Sequence, residues 1–325
     1  MKKTFLKVLF MFICFGVLFA AGSKEQTSKD SVKVKIVMPT GAPAVSISKL
    51  VYEKPMINNL ETEYEVLARP ELVQSRIMSG EADIAIVPTN LASVIYSKQK
   101  NIRLLGSIIW GNLYVISSEP ISSINELKGK TIYSFGRNIV PDITSKEIFK
   151  RNGLDPDKDL NFEYVAAIVD IPPVFISGKA KIAIAAEPVV SMIMTKKPDT
   201  KIILDIPAEW KKFFGGESYP QASVVVNAEF AKKHPEYVVS FLKELKESAV
   251  WVNQNAPQAA DYSGKIGVEI PKPVLSKAIP KLNISFAEAE KARRAVEGYL
   301  KVLAEADPKF IGGKLPDDAF YYKAK

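Results

Sequence analysis

The sequence predicts an α/β protein of two similar lobes, each a mainly parallel sheet flanked by helices, and three observations carry that expectation. The first is a pair of short apolar runs, Ile84-Ala85-Ile86 and Ile182-Ala183-Ile184. Continuous runs of this length fit strands buried on both faces of a parallel sheet. The second is an internal echo. Lys35-Ile36-Val37-Met38 running into Gly41 returns 95 residues later as Lys130-Thr131-Ile132-Tyr133 running into Gly136, and Ser79-Gly80-Glu81-Ala82 returns 98 residues later as Ser177-Gly178-Lys179-Ala180. Two landmarks at nearly equal offsets suggest two lobes of one architecture. The third is length: 325 residues, at roughly 150 per domain, make about two domains.

Each element follows in order. Lys35–Met38 reads as a strand ending in the Thr40-Gly41-Ala42 turn. Leu72, Val73, Ile77 and Met78 have helical spacing, and Gly80 stands where a helix end favours a left-handed residue. The strand from Ile84 stops at Pro88, and a helix follows. In the second lobe, Lys130–Phe135 is the strand, Ile143-Thr144-Ser145 the helix start and Gly178 the cap. The strand from Ile182 ends at Glu187-Pro188. Tyr219-Pro220-Gln221 reads as a turn into the strand Ala222–Val226, which takes the chain back to the first lobe. Val238, Phe241, Leu245, Ala249 and Val252 predict a packing helix over 235–253. Ser285 with Glu288 forms a capping-box pattern and predicts a helix from there to about Ala306.

The chain opens like an address. Lys2, Lys3 and Lys7 precede an apolar run from Val8 to Ala21, shorter than the roughly 20 residues that span a bilayer. Small residues end it, so residues 1–21 read as a signal peptide, and export to the periplasm or beyond follows. Residues 22–31 read as a flexible spacer. Cys14 offers an alternative lipid anchor, but Ile13 before it is not the small residue that such a site requires.

Composition excludes much chemistry. The formal charge is +8, and removing a leader with three lysines lowers it to +5, a modest bias towards anions. One cysteine and one histidine preclude an internal disulfide and a His/Cys metal centre. His234 sits in the polar stretch Lys232-Lys233-His234-Pro235 and reads as a solvated surface residue, so a triad hydrolase lacks its base. Gly129-Lys130-Thr131 resembles the end of a phosphate loop, but Ile124 stands where its first glycine belongs. No two glycines are spaced for a dinucleotide fingerprint. Lysine pairs such as Lys211-Lys212 are not interleaved with aromatics, so no nucleic-acid partner is expected. No cofactor, metal or catalytic residue is assigned.

In open α/β sheets the ligand lies beyond the carboxyl ends of the strands. Thr40, Gly41, Ala42, Thr89 and Asn90 should therefore share one rim, and Phe135, Gly136, Arg137, Asn138 and Glu187 another. Arg137 could bind a carboxylate, phosphate or sulfonate; an exposed rim arginine is the plainer alternative. Thr89 and Asn90 are either ligand donors or helix caps. Trp110, near Asn112, could stack on a planar ring, as could Phe135 and Tyr219, or they are core aromatics. Glu187 is either an acceptor for ligand N–H groups or a helix cap.

Ser79-Gly80-Glu81-Ala82-Asp83-Ile84-Ala85 with Pro88 resembles the solute-binding proteins of ABC importers that handle nitrate, sulfonates, taurine and thiamine-pyrimidine precursors. Ile124-Asn125-Glu126-Leu127-Lys128-Gly129-Lys130, Asn152-Gly153-Leu154-Asp155-Pro156, Glu187-Pro188 and the tail from Asp307 to Tyr322 add to that resemblance, which covers about residues 32–322. Two departures concern the substrate. Lys181-Ile182 stands where relatives often carry Asp-Ala, and the loop after the first strand lacks a basic residue. The resemblance implies a two-lobed type II periplasmic binding fold, with lobe one at 32–116 plus 221–325 and lobe two at 117–220. It also implies a monomer that closes on a small-molecule ligand and meets a permease and ATPase. The three aromatics tilt the expected ligand towards a planar heterocycle such as a pyrimidine; a sulfonate, taurine or nitrate-type anion is the alternative. An enzyme of pyrimidine metabolism on the same fold is a further alternative. The cysteine-rich loop and active-site histidine of such relatives have no counterpart here.

Overall fold

A computed structural model describes residues 33–323. The expected leader, spacer and Cys14 anchor lie outside the described residues. Eleven strands form two sheets. The first contains β1 (Val34–Pro39), β2 (Thr62–Leu67), β3 (Ile84–Pro88) and β4 (Ile102–Trp110). The chain then moves to the second sheet for β5 (Leu113–Ser117), β6 (Thr131–Phe135), β7 (Asn161–Val165), β8 (Ile182–Ala186) and β9 (Lys201–Asp205). It returns for β10 (Pro220–Asn227) and β11 (Ile284–Glu288). The orders are β11-β4-β10-β3-β1-β2 and β7-β6-β8-β5-β9.

The α/β class and the two flanked sheets agree with the sequence reading. The pairing is a correction: each sheet is mixed rather than mainly parallel. Only β2-β1-β3 and β7-β6-β8 are parallel; β10, β4 and β11 extend the first sheet antiparallel, and β5 and β9 the second. The apolar runs β3 and β8 are buried as expected. The change of sheet comes at Gly111-Asn112, ahead of the 116/117 position read from sequence, because β5 already belongs to the second sheet.

The echo has a physical origin. Gly80 and Gly178 take positive φ, 77° and 82°, directly after the helices Pro70–Met78 and Ile171–Ile176. The turn lets the amides of Ala82 and Ala180 return to the carbonyls of Arg76 and Val174, at 3.2 and 2.8 Å. Both alanines are buried, so a larger side chain would have to displace the helix above.

Two local expectations need correction. Ser285 to Glu288 do not open a helix: they form β11 against β4, and the helix runs Ala289–Ala306 with Glu288 at its N-cap. Pairing at the open edge of the sheet outweighs local capping. His234 is half-buried between two helices, its ring 4.9 Å from Phe230. The helix expected over 235–253 is Pro235–Gln254.

Each sheet has an outer core of its own: Ile36, Ile86 and Val224 for the first, Ile116, Ala183 and Phe175 for the second. The third core is shared. It runs from Val37 and Val87 on the first sheet, through Val296, Tyr299, Leu300 and Leu303 of helix Ala289–Ala306, to Val115, Ile132 and Ile184 on the second. No described helix is long and apolar enough to cross a membrane.

Candidate functional site

Strand directions fix where the rims lie. Two antiparallel steps, β3 to β10 to β4, leave β4 running with β1–β3. Its carboxyl end at Trp110 is joined by two residues to the start of β5, which lies at the carboxyl end of its antiparallel partner β8. The carboxyl rims of the two parallel cores therefore meet at this crossing. The far ends of the rims belong to β2 in one sheet and β6 and β7 in the other.

At the crossing the protein binds itself. Trp110 is 4% exposed, and its indole N–H donates to the Ser285 carbonyl at 2.7 Å. Tyr219 is buried among Trp210 and Tyr299, with ring centroids 5.2 and 5.4 Å away, and burial holds its hydroxyl far above the usual phenol range. Gly111 donates to the Tyr219 carbonyl at 2.9 Å; a Cβ on Gly111 would fall 2.2 Å from the tyrosine ring. Neither aromatic is placed to stack on a solute. Asn112 is also buried, and its Oδ1 has no hydrogen-bond partner among the described residues.

Glu187 is wholly engaged. Its carboxylate is buried and accepts from the Ser191 amide at 3.0 Å, the Ser191 hydroxyl at 2.9 Å and Lys281 Nζ at 2.9 Å. Lys281 also reaches Ser191 Oγ at 2.7 Å, and its carbonyl accepts from the Tyr114 hydroxyl at 3.0 Å. Lys281 lies just before β11 of the first sheet, whereas Glu187 follows β8 of the second. The pair ties one sheet to the other.

On the first rim, Thr40 is exposed, and Gly41 and Ala42 are half-buried at the start of the helix Ala42–Ser46. Thr89 is buried, its hydroxyl 2.7 Å from Ser223 Oγ. Asn90 Nδ2 donates to the Phe310 carbonyl at 3.2 Å, fastening the C-terminal tail. Both Thr89 and Asn90 lie in the first turn of the helix Thr89–Gln99; neither is its N-cap, which is Pro88.

On the second rim, Phe135 and Gly136 are half-buried, and Arg137 and Asn138 exposed. Local structure braces this loop. The buried Asp142, in the first turn of the helix Val140–Arg151, accepts from the Asn138 amide at 2.9 Å and the Tyr164 hydroxyl at 2.8 Å. The Arg137 guanidinium carbon lies 5.4 Å from the centroid of the Tyr164 ring. Burial, and then the bond to Asp142, push the Tyr164 hydroxyl well above the usual phenol range. Arg137 is not ion-paired among the described residues.

The sequence reading missed Asp142, Tyr164, Ser191 and Lys281. Lys281 is 94 residues from its partner, beyond any local pattern. Asp142 carried a faint signal as an acidic residue just after Pro141 at a helix start. No group of His, Cys, Asp and Glu that could hold a metal ion occurs among the described residues.

Residues 58–260 match the family described as NMT1/THI5 like. YtlA of Bacillus subtilis, described as a binding protein, is 23% identical over 265 residues, which are 77% of this chain and 76% of that one. Among solved structures, an ABC transporter protein from Parabacteroides distasonis aligns at 25% identity with a TM-score of 0.80, covering 91% of this chain and 100% of that one. The aliphatic sulphonate binding protein SsuA of Escherichia coli aligns at 12% identity with a TM-score of 0.67, covering 90% and 92%. The nitrate-binding protein NrtA of Synechocystis PCC 6803 aligns at 11% identity with a TM-score of 0.59, covering 86% of each. The chain therefore belongs to the NMT1/THI5-like family and is built on the two-lobed fold of the periplasmic binding proteins.

Proposed function

We propose that the protein is the solute-binding component of an ABC importer. It holds a small molecule between the two rims without changing its bonds and presents it to a membrane permease coupled to an ATPase. The lobes are the two sheets with their helices, hinged at Gly111-Asn112 and at the return before Pro220. The observation that carries this reading is the direct meeting of two parallel-strand rims in a chain of this family. A crevice at such rims is where α/β proteins place small ligands.

The ligand we favour is an anion rather than a planar heterocycle. The case for the heterocycle rested on three aromatics, and two of them, Trp110 and Tyr219, are spent on internal packing. Glu187, the expected acceptor for heterocycle N–H groups, is saturated by Ser191 and Lys281. Arg137 remains exposed on a braced loop and suits a carboxylate, sulfonate or nitrate-type anion. SsuA and NrtA, which bind an aliphatic sulphonate and nitrate, point the same way.

A thermal-shift screen tests the reading, because a ligand that binds only the folded chain raises its melting temperature. Sulfonates, carboxylates and nitrate should shift the transition, pyrimidines should not, and mass spectrometry should return the bound solute unaltered. Shifts from planar rings alone would refute the anion assignment, and a chemically altered solute would refute the receptor.

A further inference from the structure

We infer that the protein has a second binding site, a cavity at the base of the first sheet that takes a carboxylate carried on an alkyl chain. The site is separate from the cleft and does not rest on the reading of the cleft's guest.

The cavity has a volume of about 1040 Å³ and lies at the end of the sheet opposite the rims. Arg103 on its wall is the second residue of β4, and Ala228 follows the last residue of β10, which runs antiparallel to β4. Seven residue steps of strand, about 23 Å, separate Arg103 from Trp110 at the crossing. None of the rim residues expected from the sequence lines this cavity.

Its walls combine an apolar surface with cations. Ala228, Ala231, Pro235 and Ala319 are small and smooth, and Val239 among them is 50% exposed. A space of this size and lining accepts a molecule with a sizeable apolar body. Arg103, Lys232 and Lys323 also line it, and none of the three is ion-paired among the described residues. Of the two carboxylates present, Asp318 is taken by Arg293, which leaves Glu236 against three cations. The excess charge is positive and calls for an anion.

Two groups are ready to hold a carboxylate. Arg103 Nη1 donates to the carbonyls of Lys100 and Ile102 at 2.9 and 2.7 Å. Those bonds brace the side chain, and its Nε and Nη2 donate to nothing among the described residues. Tyr321 lines the same cavity, and its strand bridge is to Leu104, next to Arg103. The tyrosine is 2% exposed, and its hydroxyl is buried without a hydrogen-bond partner among the described residues. A buried, unsatisfied donor costs free energy that a guest carboxylate recovers. The guest is a single molecule rather than a bilayer surface, because Tyr321 and Ala231 are buried beyond the reach of a flat face.

Titration calorimetry of the full chain with decanoate, hexanoate, 1-decanol and decyltrimethylammonium, all kept monomeric, tests this; phosphatidylglycerol vesicles form a separate arm. Decanoate should bind at least tenfold more tightly than hexanoate, since each fully buried methylene contributes about fourfold. It should also bind at least tenfold more tightly than the alcohol or the cation, which cannot accept from Arg103. Arg103→Met should weaken decanoate about tenfold. Val239→Asp should do the same without lowering the unliganded melting temperature, since that position is already exposed. Tyr321→Phe removes a hydroxyl with no partner to lose, so the melting temperature should hold while decanoate weakens about threefold. Hexanoate or the cation binding as tightly as decanoate overturns the inference, as does unchanged affinity in Arg103→Met and Tyr321→Phe. Decanoate binding lost in Arg137→Met but kept in Arg103→Met places the guest in the cleft and overturns it too. Binding to vesicles without binding of monomeric decanoate assigns the surface to a membrane instead, and no binding at roughly 1 mM, a level that detects even weak complexes, removes the site altogether. Each of these failures leaves the solute receptor standing.

Discussion

The crossing between the sheets and the far ends of the rims are built from different residue types and used in opposite ways. At the crossing, Trp110, Tyr219, Asn112 and Glu187 are buried, and each is held by internal partners. At the far end, Arg69, Arg137, Ile139 and Val169 are exposed on loops whose backbones are fixed. Aromatic and charged residues at strand ends therefore do not identify a binding site by type alone. What separates them is whether the protein has already satisfied them. A joint between lobes needs saturated contacts, and a recognition surface needs unsaturated ones held in place.

Substitutions at the crossing should change stability, and those at the far end should change binding. The largest loss is expected for Gly111→Ala, whose new methyl group would overlap the Tyr219 ring. A loss of about 3 kcal/mol in urea unfolding is expected, at the upper end for overpacking. Lys281→Met comes next. It leaves the Glu187 carboxylate buried with Ser191 alone, and about 2 kcal/mol should go, less than for a fully buried pair because Lys281 is 34% exposed. Adding Glu187→Gln should return part of that loss; strict additivity of the two would show that the bridge is not coupled.

Tyr164→Phe removes one donor from buried Asp142 and should cost about 1 kcal/mol. It would sharpen the comparison if it also loosened Arg137 enough to weaken anion binding, which calorimetry would read. The smallest effect concerns the tail. Hydrogen bonds from Lys100 and Tyr96 hold the Asp317 carboxyl down at about 2, against an ordinary 3.8. A folded value below the unfolded one stabilises fully above about pH 4 and fades as the pH falls through 2. The melting difference between the wild type and Asp317→Asn should therefore be present near pH 7 and nearly gone near pH 2.

Much of the fold was readable because local chemistry decides it. The runs at Ile84 and Ile182, the turns at Gly80 and Gly178 and the prolines after each strand report short-range constraints, and these found the parallel cores and their rims. The antiparallel extensions were hidden, because pairing β11 with β4 joins segments about 180 residues apart and leaves no periodic trace in either. Ser285 shows the conflict directly, with a correct capping pattern overridden by a sheet edge. For the candidate site, the loops were legible from topology. The commitments of Trp110, Tyr219 and Glu187 depended on partners at Ser285, Tyr299 and Lys281, from the last third of the chain.

Helix Ala289–Ala306 has a consequence for assembly. Its side chains complete a core to which both sheets contribute, yet it follows every described strand in chain order and so leaves the ribosome after them. Until it arrives, the shared core is incomplete, so the nascent chain stays incompletely folded after its last described strand is made. A product cut short before this helix carries an exposed greasy seam that quality-control proteases can recognise.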